Sequence, residues 1–143
     1  MIPLYYARFS KYQGVATLAV DRLISISLSS VTFTADAAFD PKQCRDQAFG
    51  VSWQDPEQIV LHFRADQAPY IRERTWHPTQ QIRPLPSGGV EMIFHAGGRF
   101  EIRRWILGWG DAVEVIAPES LRKDLIRVSE STLRQYAGRK EEN

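Results

Sequence analysis

Gln80-Gln81-Ile82-Arg83-Pro84-Leu85 and Val90-Glu91-Met92-Ile93-Phe94-His95 flank the cluster Pro86-Ser87-Gly88-Gly89. Two apolar-rich runs around a proline–glycine cluster are the pattern of a β-hairpin. Directly downstream, Ile102, Trp105, Ile106 and Trp109 fall at i, i+3, i+4 and i+7, which is one face of a helix. Farther out, Val113 to Ile116 reads as a strand. Pro118 and Glu119 then open a long helix through Leu121, Leu125, Val128 and Tyr136 that stops at Gly138. On the upstream side, Ile59-Val60-Leu61-His62-Phe63 reads as a strand and residues 66–74 as a helix carrying Tyr70 and Ile71. The resulting order, β-α-β-β-α-β with an added C-terminal helix, is that of the ferredoxin-like split βαβ unit. The expected class is α+β.

The pattern changes at Trp53-Gln54-Asp55-Pro56, which divides the sequence into residues 1–52 and 53–143. The first part opens with two strand-like runs, residues 4–9 and 16–20, around the loop Ser10-Lys11-Tyr12-Gln13-Gly14. Beyond Leu23, the apolar residues Ile24, Ile26 and Leu28 alternate with serines, the period-2 signature of a half-buried strand. Residues 41–49 read as a short helix with Asp40 as N-cap and Pro41 in the first turn, ending near Gly50.

At 143 residues the chain is long enough to hold a core without disulfide or metal staples. Hydrophobic residues at 43% and charged residues at 24% match globular averages and argue against disorder. A net charge of +1 excludes a polycation that coats nucleic acid, so any anion site must be a local patch. Cys44 is the single cysteine, which excludes an internal disulfide and a cysteine-cluster metal site. The N-terminus Met1-Ile2-Pro3-Leu4-Tyr5 lacks the pattern of a signal peptide, and no apolar run approaches a membrane span. A cytoplasmic protein without membrane partners is expected.

The residues for catalysis are not gathered in any familiar pattern. His62, His77 and His95 are scattered, without the spacing of a metal site. Ser87-Gly88-Gly89 sits at a hairpin tip, not in a nucleophile elbow. Gly97-Gly98 and Gly108-Trp109-Gly110 lack the lysine of a phosphate loop. The expectation is no enzyme, no metal and no cofactor, with Cys44 a packing residue.

Tyr70-Ile71-Arg72-Glu73-Arg74-Thr75-Trp76-His77-Pro78-Thr79-Gln80 resembles the R-x-W-H-P-[ST]-Q segment of WYL-family transcription regulators. Leu85-Pro86-Ser87-Gly88-Gly89-Val90-Glu91, residues 101–110 and Val113-Glu114-Val115-Ile116-Ala117-Pro118 follow in the family's order. Together they resemble the C-terminal extension of these regulators, called WCX, from Ile59 onward. Residues 4–26, with the pair Asp21-Arg22, resemble the last hairpin of the WYL domain itself. The naming tripeptide reads Pro3-Leu4-Tyr5 here, and two positions basic in the family are Ala16 and Ala19. The resemblance implies a partial Sm-like β segment before the ferredoxin-like subdomain. No helix-turn-helix is evident, so double-stranded DNA is expected to be reached only through such a motif outside this sequence.

By this resemblance the chain is the effector-sensing and oligomerising part of a bacterial regulator. Its expected partners are a second copy of itself and a single-stranded nucleic acid or nucleotide. Arg22 maps onto a basic pocket position, and a hairpin would gather Arg8 and Lys11 beside it. Trp76 reads either as a nucleobase platform flanked by Arg72 and Arg74 or as a packing residue, with His77 in a local hydrogen bond. Arg103 and Arg104 read as a solvated helix face. Two alternatives stand beside this reading: a free-standing single-stranded nucleic-acid or nucleotide binder, and a purely architectural dimerisation domain.

Overall fold

The computed structural model describes residues 4–8, 15–34, 37, 39–50 and 54–138. Their elements, in chain order, are β1 (Leu4–Arg8), β2 (Val15–Ala19), α1 (Pro41–Gln47), β3 (Glu57–Phe63), α2 (Ala68–Arg72), β4 (Gln81–Pro84), β5 (Val90–Ala96), α3 (Arg99–Leu107), β6 (Val113–Ala117) and α4 (Glu119–Ala137). Among the described residues this is a mixed α+β fold with two antiparallel sheets and four α-helices. One sheet is the β1–β2 pair, and the other runs in the order β4-β5-β3-β6.

The larger sheet follows from period-2 alternation. In β3 the residues Ile59, Leu61 and Phe63 are buried, as are Val90, Met92, Phe94 and Ala96 in β5. The antiparallel register sets Ile59 against Phe94, Leu61 against Met92 and Phe63 against Val90, so both strands turn one apolar face to the same side. Ile71 of α2, Ile102 and Ile106 of α3, Val115 of β6 and Leu121 of α4 complete the cluster. The hairpin turn closes with Leu85 N–H donating to Gly89 O and Gly88 N–H donating to Leu85 O, each at 3.0 Å. Gly88 has φ +85°, a left-handed conformation that favours glycine.

Helix α1 begins as expected, with Asp40 Oδ1 accepting from the Lys42 N–H at 2.8 Å and Pro41 in the first turn. It stops two residues short of Phe49 because the chain there bridges to the end of β5. The Phe49 N–H donates to Gly97 O at 3.0 Å, and the Gly97 N–H donates to Gln47 O at 2.8 Å. A Cβ on Gly97 would lie 2.1 Å from Gln54 O, so only glycine permits this approach. The bridge carries Phe49 onto the core of the larger sheet.

Several expectations need correction. Ile24, Ile26 and Leu28 are not in a strand and stand exposed. Alternation makes a buried face only where a neighbour supplies backbone partners. Here β2 ends at Ala19, and a 3-10 turn over Val20–Arg22, closed by Leu23 N–H to Val20 O, redirects the chain. Helix α2 spans only Ala68–Arg72, preceded by a turn in which the Gln67 N–H donates to Arg64 O at 3.1 Å. Trp109 lies beyond the end of α3, yet it still packs on Phe63 and Trp76. Tyr136 is exposed, because the last turns of α4 project past the core. The loop Ser10-Lys11-Tyr12-Gln13-Gly14, Phe9 and Trp53 lie outside the described residues.

Phe94 is fully buried at the centre of this packing, so Phe94→Ala is expected to cost about 3–5 kcal/mol in urea unfolding. Leu133→Ala, on the exposed end of α4, should stay within about 0.5 kcal/mol of wild type.

Candidate functional site

The loop between α2 and β4 is built by two side chains at its end, Thr79 and Gln80. Gln80 Oε1 accepts from the backbone N–H groups of Trp76 at 2.6 Å and His77 at 3.1 Å, and its Nε2 donates to Arg74 O at 2.9 Å. The Thr79 hydroxyl accepts from His95 N–H at 2.9 Å and lies 3.2 Å from His95 O, which ties the loop to β5. It also stands 2.8 Å from His77 Nδ1. These bonds fix the loop both to the end of α2 and to β5.

His77 is only 2% exposed, between Phe49 and Phe94. Its Nδ1 accepts the Thr79 N–H at 3.2 Å, which puts the ring proton on Nε2 in the neutral form. Nε2 is buried, without a hydrogen-bond partner among the described residues. Desolvation is the main force pushing the His77 pKa down; Asp46 acts against it and His95 adds to it. The imidazole is therefore held neutral.

Trp76 is half-buried, with ring centroids 5.3 Å from Trp105 and 5.7 Å from Trp109. The Arg74 guanidinium carbon sits 5.7 Å from the same ring, a cation–π contact. The indole N–H groups of Trp76 and Trp105 are buried and have no acceptor among the described residues. Arg72 is exposed in the last turn of α2. The structure thus brings Arg74 to Trp76 and places Trp76 in a wall of aromatic rings.

The basic group expected on the first hairpin turns on its register and on the turn that follows. Arg8 pairs with Val15, whereas Leu4 pairs with Ala19, and Arg22 lies three residues past Ala19. The Arg8–Val15 row and the Leu4–Ala19 row next to that turn are therefore at opposite ends of the hairpin, four strand steps or about 13 Å apart along the strands. Arg22 is exposed at the close of the 3-10 turn, and Lys11 lies outside the described residues. Among the described residues no group of three His, Cys, Asp or Glu side chains is placed to hold a metal ion. None of their helices is long and apolar enough to cross a membrane.

Thr79 and Gln80 close the R-x-W-H-P-[ST]-Q segment in the sequence, where nothing assigns them a role and Gln80 also reads as the first residue of a strand. The signal available was a run of turn-forming residues, Pro78 and Thr79, directly before it.

Residues 55–133, more than half of the chain, match the WCX domain. The chain belongs to the WCX domain family. The WCX match starts just before β3 and ends within α4, so it covers the whole larger sheet and the Trp76–Gln80 loop. No curated protein matches the chain. Among solved structures it is similar to proteasome accessory factor B/C (PafBC) of Arthrobacter aurescens, at 20% sequence identity and a TM-score of 0.49. That likeness covers 93% of this chain and 20% of the other, so the chain spans about one fifth of that protein's length.

Two consequences of the WCX loop are measurable. Unfolded histidine titrates near pH 6.5, and His77 in the folded state titrates lower. The unfolded chain therefore binds the extra proton first, and the His77 contribution to stability, present above about pH 6.5, is lost as the pH falls below it. Urea unfolding between pH 7.5 and 5.5 should show this decline, and His77→Asn should make it shallower while lowering stability throughout. Gln80→Ala leaves two loop N–H groups and one carbonyl without their partner, and a loss of about 1–3 kcal/mol is expected by the same assay.

Proposed function

We propose that this chain is the effector-sensing and subunit-association part of a WYL-type transcription regulator. The observation that carries this reading is the WCX membership of residues 55–133, placed after a hairpin that leads into Asp21-Arg22. In this reading residues 54–138 form a ferredoxin-like unit, and β1–β2 belongs to an Sm-like barrel. The sheet order supports the first assignment. From β3 through α2 the chain reaches β4, two places away across β5, and from β5 through α3 it reaches β6, two places away across β3. That is the split arrangement of two interleaved βαβ units.

The effector in this proposal is a single-stranded nucleic acid or a nucleotide. Arg22 is its first contact, since a guanidinium fork suits phosphate oxygens and Arg22 is exposed. Trp76, Arg72 and Arg74 are the second candidates. Association with a second copy is part of the same proposal, because Ile24, Ile26, Leu28, Val31 and Phe33 are all exposed and would gain cover. One observation favours the architectural alternative: the Trp76 ring already holds Arg74 and two tryptophans.

Titration with a short single-stranded oligonucleotide over a salt series separates the readings. Effector sensing requires binding that weakens steeply with salt, a loss of about tenfold or more in Arg22→Ala, and no change in Arg122→Ala. Sedimentation should give a dimer at micromolar concentration. A dimer that binds no oligonucleotide supports the architectural reading, and a monomer at all concentrations removes the association role.

A further inference from the structure

Helix α3 is used by the core on one side only. Ile102 and Ile106 are buried and Trp105 packs with them. Another face carries Phe100, Arg103, Arg104 and Leu107, spaced i, i+3, i+4 and i+7. Phe100 is 54% exposed and Leu107 36%. The guanidinium carbons of Arg103 and Arg104 lie 5.5 and 5.6 Å from the Phe100 ring centroid. One exposed ring thus holds two positive charges.

Several other arginines are neutralised. Arg99 is paired with Glu57 at 3.3 Å and Asp124 at 3.1 Å, Arg127 with Asp124, and Arg64 with Asp66 and Asp111. Among the described residues, Arg103 and Arg104 enter no ion pair and donate no hydrogen bond. Two like charges over one ring do not stabilise the fold by themselves, since they repel each other and each side chain gives up rotamer freedom.

We propose that this face of α3 docks an acidic amphipathic protein segment, one that sets carboxylates between two apolar side chains. The two guanidiniums offer planar forks that match carboxylates. Phe100 and Leu107 stand seven residues apart, about 10 Å along the helix, and receive the apolar side chains on either side. The charge distribution argues for a protein over a nucleic acid. A phosphate backbone gains affinity from a track of many cations, and here the two free charges are bracketed by apolar residues, with Arg99 already neutralised. The proposal does not depend on the effector reading, which concerns Arg22 and Trp76.

The test uses the full chain and a labelled amphipathic helical peptide whose apolar stripe is interrupted by two glutamates. A second peptide with glutamines in their place and a short single-stranded oligonucleotide serve as probes of charge and of phosphate. Wild type is expected to bind the glutamate peptide and to prefer it over the glutamine peptide. Joint Arg103→Gln and Arg104→Gln substitution should weaken the glutamate peptide about tenfold or more, and Phe100→Ala by several-fold, with Arg122→Gln unchanged. NMR signals of residues 100–107 in the wild-type chain should shift on peptide addition, which reads the site without any variant. The proposal is overturned if the glutamate peptide does not bind, if binding is unaffected by the double substitution, or if those signals stay still. It is also overturned if the double substitution weakens the oligonucleotide instead, which would make the face a phosphate site.

Discussion

The pairing of β3 with β5 is the contact on which the rest of the molecule rests. These two strands hold the centre of the four-stranded sheet, and their register brings Ile59, Leu61 and Phe63 level with Phe94, Met92 and Val90. A slip of one residue would turn every one of those side chains to the opposite face. Nothing else in the sheet forms independently of this pair: β4 adds to β5, β6 adds to β3, and the helices cover the face that the pair creates. The Trp76–Gln80 loop is fixed by the same strand, through the two backbone contacts of Thr79 with His95.

The other face of the sheet has a different composition for the same reason. His62, Glu91, Arg83 and Glu114 project there, with His62 Nε2 3.1 Å from Glu91 Oε2 and Arg83 Nη1 3.8 Å from Glu91 Oε1. These are partly exposed pairs across neighbouring strands and contribute little to stability. They keep a sheet face polar that the alternation rule leaves to solvent.

The sequence was most legible where a single local rule governs. The strands around residues 59–63, 81–84, 90–96 and 113–117, and the helix that opens after Pro118, follow from alternation, turn residues and helical spacing. It was least legible where the outcome depends on a neighbour. Ile24, Ile26 and Leu28 have the pattern of a strand, but pairing requires a second backbone that the pattern does not encode. The register of the first hairpin, which sets Arg8 level with Val15 and Leu4 level with Ala19, is likewise not written in the pattern of either strand. The role of Gln80 was hidden because its side chain acts on residues three, four and six positions earlier, inside a turn without periodicity. The bridge at Gly97 was equally hidden, since the need for a missing Cβ arises from Gln54, far away in the sequence.

The clamp that Gln80 places on the loop has a dynamic consequence. Amide hydrogens of an ordinary surface loop exchange with water almost freely, because brief local openings expose them. The Trp76 and His77 amides are bound to a side chain whose own amide is anchored to Arg74, and Thr79 fastens the same loop to β5. Their release requires the Gln80 side chain to give up its bonds while Thr79 still holds the loop to β5. The loop is therefore part of the cooperative unit formed by the sheet, and its exchange protection should follow that of β5 more closely than that of the extended residues beyond Leu23.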